Sequence, residues 1–232
     1  MSRPRASSLL AAAVAGALLS ACGGGGRQAK TEAPAHRGPV RNPSGFPLYP
    51  RSVVTTVVPI NSKQMFAAMR ASDPHADLPP DFRGNEVIAE NAASVRQLSG
   101  WVRALEARPP RGLHYVPSHD RRSRTSSSND AGVENAIELD NADGSRTVYV
   151  IVADPRQVRA ALGPVFTLIE NYSAVPGMLR GPLDDQAKKQ FGYSVTEMLD
   201  PRSPVGAAIA TVKRMQGVDR RAIVVVDLAK AR

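Results

Sequence analysis

Apolar and polar positions along this chain follow two spacings, one typical of strands and one typical of helices. Residues 136–139 and 146–152 alternate on either side of Asp143-Gly144, a pair that favours a tight turn. These two segments therefore predict a β-hairpin. Runs of β-branched and other apolar residues predict further strands. These runs lie at residues 53–58, 86–90, 113–116 and 222–226.

Two apolar stripes at helical spacing predict the principal helices of the chain. The first lies within residues 92–108, which end at a Pro-Pro pair, and the second follows Asp154. We expect both stripes to face one core, shared with the strand at 222–226. The stripes consist of Val95, Leu98, Trp101 and Leu105, and of Val158, Leu162, Phe166 and Ile169.

Local signals mark where helices begin. Ser194 and Glu197 fit a capping box, in which the hydroxyl and the carboxylate accept from opposite free amides of one helix start. Asp154 precedes Pro155, an order typical of a first helical turn. Further signals are the Gly163-Pro164 break, the Ser203-Pro204 start and a short predicted helix at residues 61–71.

This order of elements predicts a single α+β domain at residues 46–232, with a mostly antiparallel sheet and helices packed on one face. Leu48-Tyr49-Pro50 is predicted as its opening strand. The opening strand, the next strand and the helix carrying Trp101 together resemble exported bacterial domains of unknown function. That resemblance implies no activity.

The N-terminus has the three parts of a bacterial signal peptide. Arg3 and Arg5 supply positive charge, and residues 9–19 are Leu, Ala, Val and Gly only. That run is shorter than the roughly 20 apolar residues that span a bilayer. It ends in Leu19-Ser20-Ala21-Cys22, which resembles the lipobox of bacterial lipoproteins. The resemblance implies that residues 1–21 are removed and that the thiol of Cys22 carries a diacylglyceryl group.

Cys22 is the only cysteine, which excludes an intramolecular disulfide and a multi-cysteine metal site within the chain. Gly23 follows it where enteric-type lipoproteins retained in the inner membrane have Asp. The resemblance therefore implies an outer membrane, facing the periplasm, in a source with two membranes, and otherwise the outer face of the plasma membrane. Residues 22–45, rich in Gly and Pro, predict a lipidated flexible linker.

The chain is basic, and its charge bears on partners. Removing Arg3 and Arg5, the only charged side chains of residues 1–21, lowers the formal charge from +9 to +7. Arg121, Arg122 and Arg124 lie in a Ser-rich loop and are candidate anion-binding residues, for anionic lipid or an envelope component. Export and the absence of interleaved aromatic residues argue against nucleic acid.

The sequence predicts no catalytic residue set, no cofactor and no metal site. Ser194 lies in a segment close to a nucleophile elbow, but the last glycine of that motif is missing. The capping box accounts for Ser194 instead. Other candidate groups are Glu86 with Glu90, Glu138 with Asp140, and His114 with His119 and Asp120.

These features favour a lipid-anchored cell-envelope lipoprotein whose domain is a non-enzymatic binding or scaffolding module. Two alternatives remain open at this point. One is an envelope hydrolase with a site assembled from carboxylates or histidine by the fold. The other is a carrier of apolar ligands. The ligand and the oligomeric state do not follow from the sequence.

Overall fold

The computed structural model describes residues 42–62, 81–117, 132–215 and 219–230. Among these residues, no helix combines the length and the apolar character needed to cross a bilayer. Several residues singled out above lie outside the described ranges. They are Cys22, His119, Asp120, Arg121, Arg122 and Arg124, together with the predicted helix from residue 63 onward.

The described chain contains six strands in one antiparallel sheet. They are β1 (Val53–Asn61), β2 (Phe82–Asn91), β3 (His114–Tyr115), β4 (Val133–Asp140), β5 (Arg146–Ala153) and β6 (Arg221–Lys230). Their order in the sheet is β1-β2-β6-β5-β4-β3, and each neighbouring pair is antiparallel. The predicted hairpin is confirmed as β4 and β5, and the C-terminal strand lies at the centre.

Six α-helices accompany the sheet in the described residues. They are α1 (Val95–Ala107), α2 (Pro155–Ala161), α3 (Gly163–Asn171), α4 (Gly177–Phe191), α5 (Val195–Leu199) and α6 (Pro204–Arg214). Three predicted helix starts are confirmed by hydrogen bonds. The side chains of Asp154, Ser194 and Ser203 each accept from a backbone amide in the first turn of α2, α5 and α6, respectively.

Alternation along β6 divides the interior of the fold into two cores. Val224 and Val226 belong to one core and Ile223 and Val225 to the other, because successive side chains of a strand point to opposite faces. Helices α2–α6 cover the first face, named here the helix-rich face. Helix α1 covers the second, named here the α1 face.

The α+β class and the antiparallel sheet are thus confirmed, and most of the helices share one face as expected. The placement of α1 on the other face is a difference from the prediction. The two apolar stripes therefore lie in separate cores rather than in a shared one. Phe166 is 2% exposed in the first core, whereas Trp101 is partly exposed and packs against the second.

The segment before β1 differs from its prediction. Tyr49 and Pro50 lie at a turn, not in a strand. Phe46 is buried on the α1 face, and the ring of Tyr49 meets Trp101 edge to face, with ring centroids 6.0 Å apart. Within the predicted linker, Asn42 donates from its side chain to the carbonyl of Phe46. The packed chain therefore includes residues just before position 46.

Strand β1 continues through Pro59 to Asn61, whereas the predicted run ends at residue 58. Proline cannot donate to a neighbouring strand, and it is tolerated where one side of a strand is not paired within the sheet. Strand β1 is last in the order of strands and pairs with β2 alone in the described sheet. The proline at its outer position is consistent with that place.

Candidate functional site

One row of side chains crosses the helix-rich face and contains two carboxyl groups. The register places Glu86 of β2 opposite Val226 of β6, Val226 opposite Tyr149 of β5, and Tyr149 opposite Glu138 of β4. Directly opposite residues of an antiparallel pair point to the same face. The row therefore brings acidic groups beneath α2–α6, where the neighbouring residues are mostly apolar.

Glu138 and Tyr149 form the best-defined polar contact in this row. The Tyr149 hydroxyl donates to Oε1 of Glu138 at 3.2 Å. Burial, with the charge of Asp140 as a second cause, raises the pKa of Glu138 to about 7, although the hydrogen bond from Tyr149 opposes this. Burial and the nearby Glu138 charge also raise the pKa of Tyr149 well above its usual value. Glu138 can thus exchange a proton near neutral pH.

Asp140 lies two residues after Glu138 and on the same face. Its Oδ1 is buried and has no hydrogen-bond partner within the described residues. The cross-strand partners of Asp140 are Thr147 on β5 and His114 on β3, and His114 is exposed. Glu138 and Asp140 therefore lie on one face as predicted, near the edge of the sheet and beside His114.

Glu86 is the second carboxyl group of the row, and its surroundings differ. Its side chain is fully buried, and neither carboxylate oxygen has a hydrogen-bond partner in the described part of the chain. Burial raises the pKa of Glu86 well above 4.5. Three strand spacings, about 14 Å, separate Glu86 from Glu138. These two carboxyl groups do not form one catalytic pair.

The pairing of Glu86 with Glu90 suggested by the sequence is not a site. Both lie on the helix-rich face, but Glu90 accepts two hydrogen bonds from Arg214, at 3.1 and 2.9 Å, and one from Arg220 at 3.3 Å. Its carboxylate therefore links β2 to the end of α6 and to the start of β6. This is a structural role, and it leaves Glu86 on its own.

Sequence reasoning missed a cluster of charges centred on Arg221. Its Nε donates to Glu134 at 2.7 Å, and its other nitrogens approach Asp154 at 3.6 Å and Asp219 at 3.5 Å. The side chain of Arg221 is 14% exposed and those of Glu134 and Asp154 are 10% and 5% exposed. The cluster joins β4, β6 and the N-cap of α2, contacts that only the assembled sheet creates.

Ser194 acts as a helix cap. Its Oγ accepts from the backbone amide of Glu197 at 3.1 Å, and Oε2 of Glu197 accepts from the backbone amide of Ser194 at 2.8 Å. Both acceptors are thus engaged in starting α5. Within the described ranges, no group of three or more His, Cys, Asp or Glu side chains is arranged to hold a metal ion.

Comparisons with family models, with curated proteins and with solved structures found no match to this chain.

Proposed function

We propose that the chain is an exported lipoprotein held at a membrane by a lipid on Cys22. Three features of the N-terminus support this proposal. They are the positive charges of Arg3 and Arg5, the eleven apolar or small residues at 9–19, and the segment Leu19-Ser20-Ala21-Cys22. Two or three acyl chains on one residue give stable anchoring, because each buried methylene contributes about 0.8 kcal/mol. The proposed place is the periplasmic side of an outer membrane, or the outer face of a single membrane.

The folded domain is proposed to bind or scaffold a component of the cell envelope. In the described residues, Ser194 caps a helix, Glu90 links a strand to the last helix, and Glu134 links two strands. These are structural roles. A flexible chain of the length predicted for the linker, residues 22–45, has a typical end-to-end distance of about 25 Å. The domain thus stays near its own membrane, where Arg121, Arg122 and Arg124 are candidates to meet anionic lipid.

Replacing Cys22 tests the anchor directly. In a bacterial host that processes lipoproteins, the wild-type chain should incorporate labelled fatty acid, and its N-terminal peptide should show diacylglyceryl-cysteine by mass spectrometry. Cys22→Ser should lose both signals. Ser20→Ala is the matched control, because it keeps a small residue before the cysteine and should retain the lipid. An unmodified Cys22 in the wild-type protein contradicts the proposal.

Vesicle binding tests the membrane contact. The domain without its lipid should bind vesicles containing anionic lipid and release them as salt increases, because exposed charges are screened within about 8 Å at physiological ionic strength. Arg121→Ala, Arg122→Ala and Arg124→Ala together should weaken binding. A matched triple substitution of Arg96, Arg103 and Arg108, which lie on or beside α1, should not. Equal binding by both variants contradicts a role for the loop.

A second candidate function is acid–base catalysis, and the Glu138 site favours it. Glu138 has a pKa of about 7, a second carboxyl group two residues away and a tyrosine hydroxyl at 3.2 Å. Two acids in different environments are typical of hydrolases that transfer a proton to a leaving group. If the chain is a hydrolase, its rate of ester or glycoside cleavage should change with pH near 7. In Glu138→Gln this change near pH 7 should disappear. The exposed Glu170→Gln is the control, and a wild-type protein without activity excludes this candidate.

A further inference from the structure

Glu86 lies where no described hydrogen-bond donor or cation stabilises a negative charge. It is at the middle of β2, between Val58 of the outer strand β1 and Val226 of the central strand β6. Val58 is 5% exposed, and Glu86 and Val226 are both 0% exposed. Ile88, the next residue of β2 on this face, is also fully buried. The carboxyl group is thus enclosed by apolar side chains on three sides.

The carboxyl oxygens of Glu86 are not hydrogen-bonded to any group in the described part of the chain. Both oxygens are inaccessible, and neither has a hydrogen-bond partner there. An ionised carboxylate in such surroundings has a very large desolvation cost, so the group takes up a proton instead. Burial alone raises the pKa of Glu86 well above 4.5, with no described charged group acting on it.

Several charged groups on the elements around Glu86 are engaged with other partners, whereas Oδ1 of Asp140 on β4 has no hydrogen-bond partner in the described residues. On β2, Glu90 is bound to Arg214 of α6 and to Arg220. On the sheet beyond Val226, Glu138 is bound by Tyr149. No residue of β1 is charged. On the helix layer, the engaged groups are Asp154 with Arg156, Arg159 with Glu170, Lys213 with the Phe166 ring, Asp184 with Thr196 and Tyr172, Glu197 with Ser194, and Arg180 with Val175 and Ser173.

We propose that Glu86 couples folding of this domain to the uptake of one proton, so that its burial destabilises the packed helix-rich face increasingly as pH rises above 4.5. The proposal is independent of lipid anchoring and of any activity at Glu138. It gives the fold a pH-sensitive group that lies in the middle of the sheet.

The sign of the effect follows from proton linkage. Below pH 4.5 the carboxyl group is protonated in both the folded and the unfolded chain, so ionisation has no cost. Above pH 4.5 the unfolded chain releases the proton while the folded chain retains it, and the folding equilibrium constant falls up to tenfold for each pH unit. This decrease ends only when pH reaches the raised pKa of the folded state.

The variant Glu86→Gln isolates this group, because it keeps the shape of the side chain and removes the charge. The ratio of folding constants, Glu86→Gln over wild type, should rise by up to tenfold per pH unit above 4.5. Because Glu138 shifts stability in the same direction up to about pH 7, the same ratio should be measured in a Glu138→Gln background. Glu106→Gln on α1, which covers the other face of the sheet, is the matched control for replacing a glutamate elsewhere in the fold. A constant ratio for Glu86→Gln between pH 4 and 9 overturns the proposal.

A measurement on the unaltered full chain covers the case in which Glu86→Gln does not fold. Carboxyl carbon resonances report protonation of each glutamate by nuclear magnetic resonance. The Glu86 resonance should keep its protonated position at pH 7, whereas the glutamate of a short unstructured reference peptide should show the ionised position at that pH. Titration of Glu86 near 4.5 in the folded protein overturns the proposal whatever the variants show.

Discussion

The α1 face and the helix-rich face are formed by the same strands but treat buried carboxyl groups differently. On the α1 face, Asp227 accepts from Nε and Nη2 of Arg146 at 2.9 and 2.7 Å. On the helix-rich face, Glu90 is also paired, with Arg214 and Arg220, but in the described residues Glu86 has no partner and Glu138 has only a tyrosine hydroxyl. A charge that is paired belongs to the architecture of a fold, whereas one left unpaired in an apolar core destabilises it. The helix-rich face is therefore where a role beyond folding should be sought.

The largest expected difference between the faces concerns their aromatic side chains. Phe166 is 2% exposed, and Arg159 and Lys213 lie over its ring, with Arg159 Cζ 4.7 Å from the centroid. Phe166→Ala should lower the free energy of unfolding by about 3–5 kcal/mol. Trp101→Ala should cost less, because Trp101 is partly exposed. Denaturant unfolding measures both, and Phe166→Leu separates burial from the ring contacts. A larger loss at Trp101 would reverse the comparison.

Glu138 should make the free energy of unfolding depend on pH. Its pKa is raised from 4.5 to about 7. The folded chain therefore holds a proton that the unfolded chain releases, and stability decreases as pH rises from 4.5 to about 7. The shift corresponds to about 3 kcal/mol over that range. Unfolding measured at several pH values should show this decrease in wild type and a flatter profile in Glu138→Gln. Identical profiles contradict the assignment.

Removing the cation on the α1 face should destabilise the fold, whereas removing the acid at Glu86 should stabilise it above pH 4.5. Arg146→Met keeps the apolar part of the side chain and leaves Asp227, which is 12% exposed, without its partner. Because Arg146 is 36% exposed and water screens the pair, the loss should be about 1–2 kcal/mol. Adding Asp227→Asn should recover part of it. If Arg146→Met leaves stability unchanged, the pair is not a stabilising element of this face.

The parts of the fold that were predicted correctly depend on neighbours in sequence. The Ser194 cap, the Asp154 start and the turn at Gly144 each depend on residues within about five positions, so the sequence carries the whole signal. Helix α4 went unpredicted for the converse reason. Its only buried residue is Ala187, and Pro182 lies inside it, so it has almost no apolar stripe to detect.

The candidate site was harder to predict because it is assembled across strands. Alternation correctly placed Glu86 with Glu90, and Glu138 with Asp140, on common faces. It could not show that Glu86 is buried, since that requires the helix-rich face to be covered and β6 to lie beside β2. The Tyr149 contact with Glu138 likewise follows from the register of β4 and β5. Lipid attachment at Cys22 remains a prediction.

The smallest expected effects come from two capping boxes, one on a helix of each face. Ser94 caps α1 with Gln97, and Ser194 caps α5 with Glu197. The Ser94 box is exposed, and the backbone amide of Gln97 lies 3.3 Å from the Ser94 hydroxyl. The Ser194 box is part-buried, and the backbone amide of Glu197 lies 3.1 Å from the Ser194 hydroxyl. Ser194→Ala should therefore cost about 1 kcal/mol and Ser94→Ala less, because water replaces an exposed acceptor more readily. Ser194→Asp, which also caps a helix, should recover the stability. A loss at Ser194 that Asp does not recover would assign its hydroxyl a role other than capping.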